Sequence, residues 1–259
     1  MKVLVRLINP KLLFFLFLSI SMNKNYAQKK GNNILDQPRT IKLSPFSTLK
    51  VNSGIVLNLI PSDENKVVIY GDTYSGVRVQ EKGFSLKLKI RLSELISYNQ
   101  PYIDLYYTEE LAQIKIHQGS VVKALRPVKT ENLILKAHEG SEFSGEIVAT
   151  ELTTKVHTGS FVNLYGRVKI HRLKVNTGGV CRAEEMLSDH SWVTTFAGGK
   201  GKVYVDEKVF AKVHFGGTIY LFGNPKEIYA SRTFGGNIMD GYGFDHKENQ
   251  RRYSRLNKY

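Results

Sequence analysis

Five short stretches of this chain are near copies of one another. "KIHQGS" (Lys115–Ser120) is followed by "KAHEGS" (Lys136–Ser141), "KVHTGS" (Lys155–Ser160), "KVNTGG" (Lys174–Gly179) and "KVHFGG" (Lys212–Gly217). With two looser copies, the first glycines are Gly119, Gly140, Gly159, Gly178, Gly198, Gly216 and Gly235, at intervals of 21, 19, 19, 20, 18 and 19 residues. A nearly fixed period of this length marks a repeat architecture. Around Ala197 the alignment has two solutions. Ala197 in the glycine slot equalises the later intervals, whereas Gly198 keeps Val193, Val203 and Val205 in the apolar phase, and we adopt Gly198.

Columns read down the copies show what the repeat builds. Five residues before the glycine stand Ile114, Leu135, Thr154, Leu173, Val193, Ala211 and Ala230; three before it, Ile116, Ala137, Val156, Val175, Thr195, Val213 and Arg232. Three and five after it the columns are again mostly apolar, from Val122 and Ala124 to Ile219 and Leu221. Apolar positions two apart mean strands with one buried face. The glycine between them marks a corner that needs a left-handed backbone. A path of about 19 residues at about 3.3 Å each, roughly 63 Å, suits one circuit of a β-solenoid with two or three short sides. Propeller blades need about 40 residues or more per repeat, and leucine-rich repeats carry a Leu/Asn pattern absent here. The sequence therefore predicts an all-β fold, a β-helix or solenoid with coils of about 19 residues.

The rest of the chain is placed around that repeat. Residues 1–27 combine a basic start (Lys2, Arg6, Lys11), an apolar run from Leu12 to Met22 and a small residue at Ala27, the pattern of a secretory signal peptide. That run is short of the about 20 residues a bilayer span requires, which weighs against a permanent anchor. Residues 28–39 read as a polar leader, 40–240 as a single solenoid domain, and 241–259 as a polar C-terminal tail suited to cover one end of the stack. Between Thr40 and Ala112 the strand pattern is less regular but has its own corner at Asn52-Ser53-Gly54, so these are expected to be the first coils. "RLSELISY" (Arg91–Tyr98) is the one candidate helical piece.

The order of these segments resembles the head GIN domain family of auto-transporter adhesins. The resemblance runs from "FSTLKVNSGIVLNLIPSDENKVVIYGD" (Phe46–Asp72) through "IDLYYTEELAQIKIHQGS" and the serial GS/GG corners, about Thr40 to Asp240. Where the family commonly has a proline before the first corner, this chain has Thr108-Glu109-Glu110. The resemblance implies a right-handed β-helix and export to the periplasm, the outer membrane surface or the medium. It brings no catalytic residues.

Function has to be sought in the outward columns. Lys115, Lys136, Lys155, Lys174 and Lys212 form one, and His117, His138, His157 and His214 another, with Asn176, Phe196 and Thr233 completing the latter. Neighbouring coils lie about 4.8 Å apart, so unit charges in one column repel by roughly 0.9 kcal/mol in water before salt screening. A stack tolerates that cost, and the column becomes a linear basic strip. The formal charge of the chain is +14, of which the signal segment carries four charges. Anionic glycans, lipid head groups or another envelope component are the expected partners. Nucleic acid is not expected, because no aromatic residue recurs beside these lysines to stack bases. The histidines read as a solvated ladder; lysines beside them oppose a metal cation and no Asp or Cys completes a zinc set.

Other constellations fall away. "GGKGK" (Gly198–Lys202) lacks phosphate-loop spacing. Glu184 and Glu185, with Asp189, could pair as acid and base in a sugar-cleaving site, but consecutive strand residues should face opposite ways. Cys181, the single cysteine, falls in an inward column, and Phe215 and Phe234 share a slot suited to structural stacking. No catalytic group, cofactor or metal is called for. The reading is an exported, non-enzymatic binding or adhesion module presenting a basic solenoid face. Its rivals are a structural protein self-associating through solenoid ends, as a homo-oligomer, and a polysaccharide-acting enzyme. The near-constant intervals leave no room for the inserted loops such an enzyme needs.

Overall fold

The computed structural model describes residues 38–71, 76–91 and 101–242, all within one compact unit. The expected signal peptide, residues 28–37 of the leader, residues 92–98 of the helical candidate and the tail from residue 243 lie outside the described residues.

The chain coils as a β-solenoid whose successive turns pair in parallel. Before each corner run β8 (Gln113–Ile116), the end of β10 (Val128–Ala137), the ends of β11 (Glu142–Val156), β12 (Phe161–Asn176) and β13 (Val180–Phe196), then β15 (Lys208–His214) and β17 (Glu227–Thr233). After each corner run β9 (Val121–Ala124), the starts of β11, β12 and β13, then β14 (Lys200–Tyr204), β16 (Thr218–Phe222) and β18 (Asn237–Asp240). These form two walls, with the alternate residues of both turned into a shared core. The register follows the sequence intervals: Ile114 faces Leu135, Val156 faces Val175, Leu173 faces Val193, and Phe196 faces His214.

Each corner is made by two residues in left-handed conformation, a non-glycine and then the glycine: Gln118–Gly119, Glu139–Gly140, Thr158–Gly159, Thr177–Gly178, Ala197–Gly198, Phe215–Gly216 and Phe234–Gly235. Gly198 thus takes the glycine slot. The corners also bond to one another. The N–H groups of Gly119, Gly140, Gly159 and Gly178 donate to the carbonyls of Glu139, Thr158, Thr177 and Ala197, at 3.0–3.1 Å. This ladder explains why the corner conformation repeats so strictly. The residue after the glycine is buried, as serine at 120, 141 and 160, and as glycine at 179, 199 and 217. At Gly199 a Cβ would sit 2.3 Å from the Val175 carbonyl oxygen, so serine is excluded there.

The N-terminal region joins the stack out of order. β2 (Thr48–Val51) and β3 (Val56–Pro61) form a coil around the corner Ser53–Gly54, in parallel register with β8 and β9. On the other side they pair with β6 (Ser85–Ile90) and β7 (Tyr102–Tyr107), which come later in the chain. The earliest coil in sequence is therefore the second in space. Antiparallel strands finish this end: β5 (Val77–Lys82) lies beside β6, and β4 (Lys66–Tyr70) lies between β7 and β1 (Arg39–Lys42). Leu49, Val51, Leu57 and Leu59 are fully buried as a result. At the far end the inward column loosens: Ile228, Ala230 and Ile238 are half-buried and Arg232 is exposed.

Candidate functional site

The outward residues of the wall before the corners form three files running along the solenoid. The middle file is lysine, and it is longer than the repeat alone indicates. Lys87 pairs with Lys50, Lys50 with Lys115, Lys115 with Lys136, Lys136 with Lys155 and Lys155 with Lys174. Six lysines in unbroken register span about 24 Å at about 4.8 Å per coil. Thr194 then interrupts the file, and Lys212 resumes it. The sequence offered a signal for Lys50: "KVNSG" (Lys50–Gly54) repeats "KVNTG" (Lys174–Gly178) almost letter for letter. Lys87 has no corner glycine behind it, and only the out-of-order pairing reveals it.

Among the described residues no ion pair involves a lysine of this file. The five pairs are Lys66–Glu64, Arg172–Glu151, Lys202–Glu184, Lys208–Glu227 and Lys226–Glu207. Lys115 is half-buried, and burial followed by the charges of Lys136 and Lys50 lowers its pKa. The file is thus a line of positive charge left without carboxylate partners.

The second file, two residues before each glycine, contains Asn52, His117, His138, His157, Asn176, Phe196 and His214. It departs from the expected solvated ladder. His117, His138 and His157 are half-buried and stacked ring on ring, with centroids 5.0 and 4.6 Å apart and planes within 9° and 2°. Nδ2 of Asn176 continues the stack, 3.3 Å from Nδ1 of His157. Burial is the first cause that lowers the pKa of all three; His138 falls to about 4, with His157 and His117 adding to the effect. At neutral pH these rings are uncharged. His214 stands apart from the triplet, separated by Asn176 and Phe196. No group of three or more His, Cys, Asp or Glu able to hold a metal occurs among the described residues.

The third file, six residues before each glycine, turns aromatic in the late coils. Trp192, Phe210 and Tyr229 lie in register, stacked at 5.3 and 4.8 Å with planes 12° apart, beside Thr194, Lys212 and Ser231, so that only Phe210 flanks a lysine of the middle file. The Arg172 guanidinium lies 4.7 Å over Trp192 from the preceding coil. A 19-residue period hid this file because it occupies only the last three coils.

The remaining sequence candidates are structural. Cys181 is fully buried, and burial drives its thiol pKa upward. Phe215 and Phe234 stack at 4.9 Å. Glu184 and Glu185 do not alternate cleanly across the wall: a register shift between Asn163 and Tyr165 makes a β-bulge there, Glu185 is exposed, and half-buried Glu184 binds Lys202 at 3.0 Å. His171, which sequence reading passed over, is fully buried with Nε2 3.1 Å from the Thr154 hydroxyl; burial lowers its pKa to about 3.

A coiled all-β stack with parallel bridges one turn apart defines the class, a β-solenoid. The chain belongs to the head GIN domain family: the model described as "Putative auto-transporter adhesin, head GIN domain" matches residues 45–225. Among solved structures, the "putative adhesin" of Bacteroides fragilis NCTC 9343 is similar at a TM-score of 0.73 and 19% identity, over 78% of this chain and 95% of that one. A "putative adhesin" of Parabacteroides distasonis ATCC 8503 gives 0.65 and 16%, over 79% and 96%. A "putative lipid binding protein" of the same organism gives 0.59 and 16%, over 78% and 96%. No curated protein matches the chain.

Proposed function

We propose that this protein is an exported, non-enzymatic adhesion module whose lysine file holds a linear anionic polysaccharide of the cell envelope or its surroundings. The observation that carries the reading is the row of six in-register lysines without carboxylate partners. On its later coils, by contrast, this chain pairs Lys208 with Glu227 and Lys226 with Glu207. A row kept unpaired invites a polyanion, whose bound counterions are released on docking. The names of the structural neighbours, adhesins and a lipid-binding protein, support a binding role.

The shape of the charge favours a polymer over a membrane. An anionic bilayer meets a whole face, whereas here the cations lie in single file between a neutral histidine stack and a file that is mostly uncharged. Binding to an immobilised polyuronate at two salt concentrations tests this. The wild type should bind, weaken steeply with salt, and lose at least about tenfold in the variant Lys50→Gln/Lys136→Gln/Lys174→Gln. The control Lys123→Gln/Lys200→Gln, on the other wall, should bind as the wild type does. Salt-insensitive binding, or equal preference for vesicles with anionic head groups, contradicts the proposal.

A further inference from the structure

The lysine file breaks once, and the break is a groove. Between Lys174 and Lys212 the in-register residue is Thr194, far shorter than its neighbours. Around it opens a concavity of about 410 Å³, with Lys155, Lys174 and Lys212 on one side and Arg172, Trp192 and Phe210 on the other. That volume falls in the range of small-molecule sites, about 300–1,000 Å³.

The aromatic wall decides what can enter. Trp192 is covered by Arg172 on one face and by Phe210 on the other, and the far face of Phe210 is covered by Tyr229. Neither ring has a free face on which a base or a sugar could stack. They present edges, which carry the positive end of the ring quadrupole. Lysines face those edges, so both sides of the groove favour negative charge. The ring edges supply apolar contact, and the hydroxyls of Thr153 and Thr194 can both donate and accept.

We infer that this groove seats one acidic sugar unit, a pyranose bearing a carboxylate. The carboxylate meets the ammonium groups of Lys155, Lys174 and Lys212, the ring hydroxyls meet the threonines, and the C–H body lies against the ring edges. This rests on the lysine file binding a polyanion and adds a point where ligand shape, and not charge alone, is recognised. A nucleic acid strand would find no stacking face here.

The test compares an oligogalacturonate with a linear polyphosphate of equal charge, by calorimetry at one salt concentration. The wild type should prefer the uronate by at least about fivefold. Thr194→Lys completes the file and fills the groove: it should erase that preference while holding polyphosphate as tightly or more tightly. Thr194→Val keeps the volume and removes the hydroxyl, so it should lower the preference about two- to threefold and leave polyphosphate binding unchanged. A wild type without preference, or Thr194→Lys that retains it, overturns the groove while leaving the lysine file standing. Failure of the wild type to bind either polymer overturns both.

Discussion

The two halves of the solenoid carry the same repeat and use it differently. In the early coils the outer face is Lys87, Lys50, Lys115, Lys136, Lys155 and Lys174 beside stacked neutral histidines. In the late coils lysines are tied to Glu184, Glu207 and Glu227, and aromatics replace polar residues in the neighbouring file. The corners differ as well, serine following the glycine at 120, 141 and 160 and glycine following it at 179, 199 and 217. The ends differ most. The first is interlocked and finished by antiparallel strands, and the last leaves Ile228 and Ile238 half-buried. One backbone pattern therefore supports a charged half and a self-satisfied half, and the outward columns carry that difference in charge.

Core truncation should break the symmetry between the ends most strongly. Leu57→Ala, fully buried in the interlocked coil, should cost about 2–5 kcal/mol in urea unfolding, while Ile238→Ala at the open end should cost under about 1 kcal/mol. Equal costs would mean that the far end is as tightly packed as the first. Exchanging the corner residues should come next. Gly199→Ser drives a Cβ into the Val175 carbonyl and should destabilise by about 1–3 kcal/mol. Ser160→Gly, in the early half, should cost only about 0.5–1 kcal/mol.

Acid should weaken the protein through its histidines. The folded pKa of His138 lies near 4 and that of His171 near 3, both below the usual value, so the unfolded chain takes up protons first. Stability contributed by these groups is present at neutral pH and is lost as pH falls from about 6.5 towards 4 for His138 and 3 for His171. The urea midpoint should drop over that range, and His138→Asn, which installs the residue found at position 176, should flatten part of the drop. An unchanged pH profile in that variant would place the histidine stack outside the linkage. The smallest effect concerns the lysines. Lys136→Gln should raise stability by about 0.5 kcal/mol at low salt, by relieving like-charge repulsion, and the gain should vanish at high salt. Lys208→Gln, which loses Glu227, should move in the opposite direction.

Most of the coil was legible from residue letters because every corner needs a left-handed pair and a glycine serves best there. The inward columns from Ile114 to Val213 followed from period-two alternation around those corners, and the Gly198 register from the apolar phase of Val193, Val203 and Val205. The out-of-order N-terminal coil did not, because pairing between Lys50 and Lys87 joins strands with no common spacing to the repeat. That gap hides Lys87, whereas Lys50 is legible in "KVNSG". The aromatic file and the Thr194 groove were hidden for another reason: they depend on which side chain is short or flat in three particular coils, which periodicity averages away. Burial of the histidines was likewise invisible, since alternation marks the outer face but not how far neighbours in a stack cover one another.

Lysine reactivity measured by reductive methylation and mass spectrometry, with and without a bound polyuronate, tests the central claim most directly. The account predicts protection of Lys87, Lys50, Lys115, Lys136, Lys155 and Lys174 as a set, while Lys123 and Lys200 on the adjoining wall stay reactive. Uniform protection of both walls, or protection that spares the file, would contradict it.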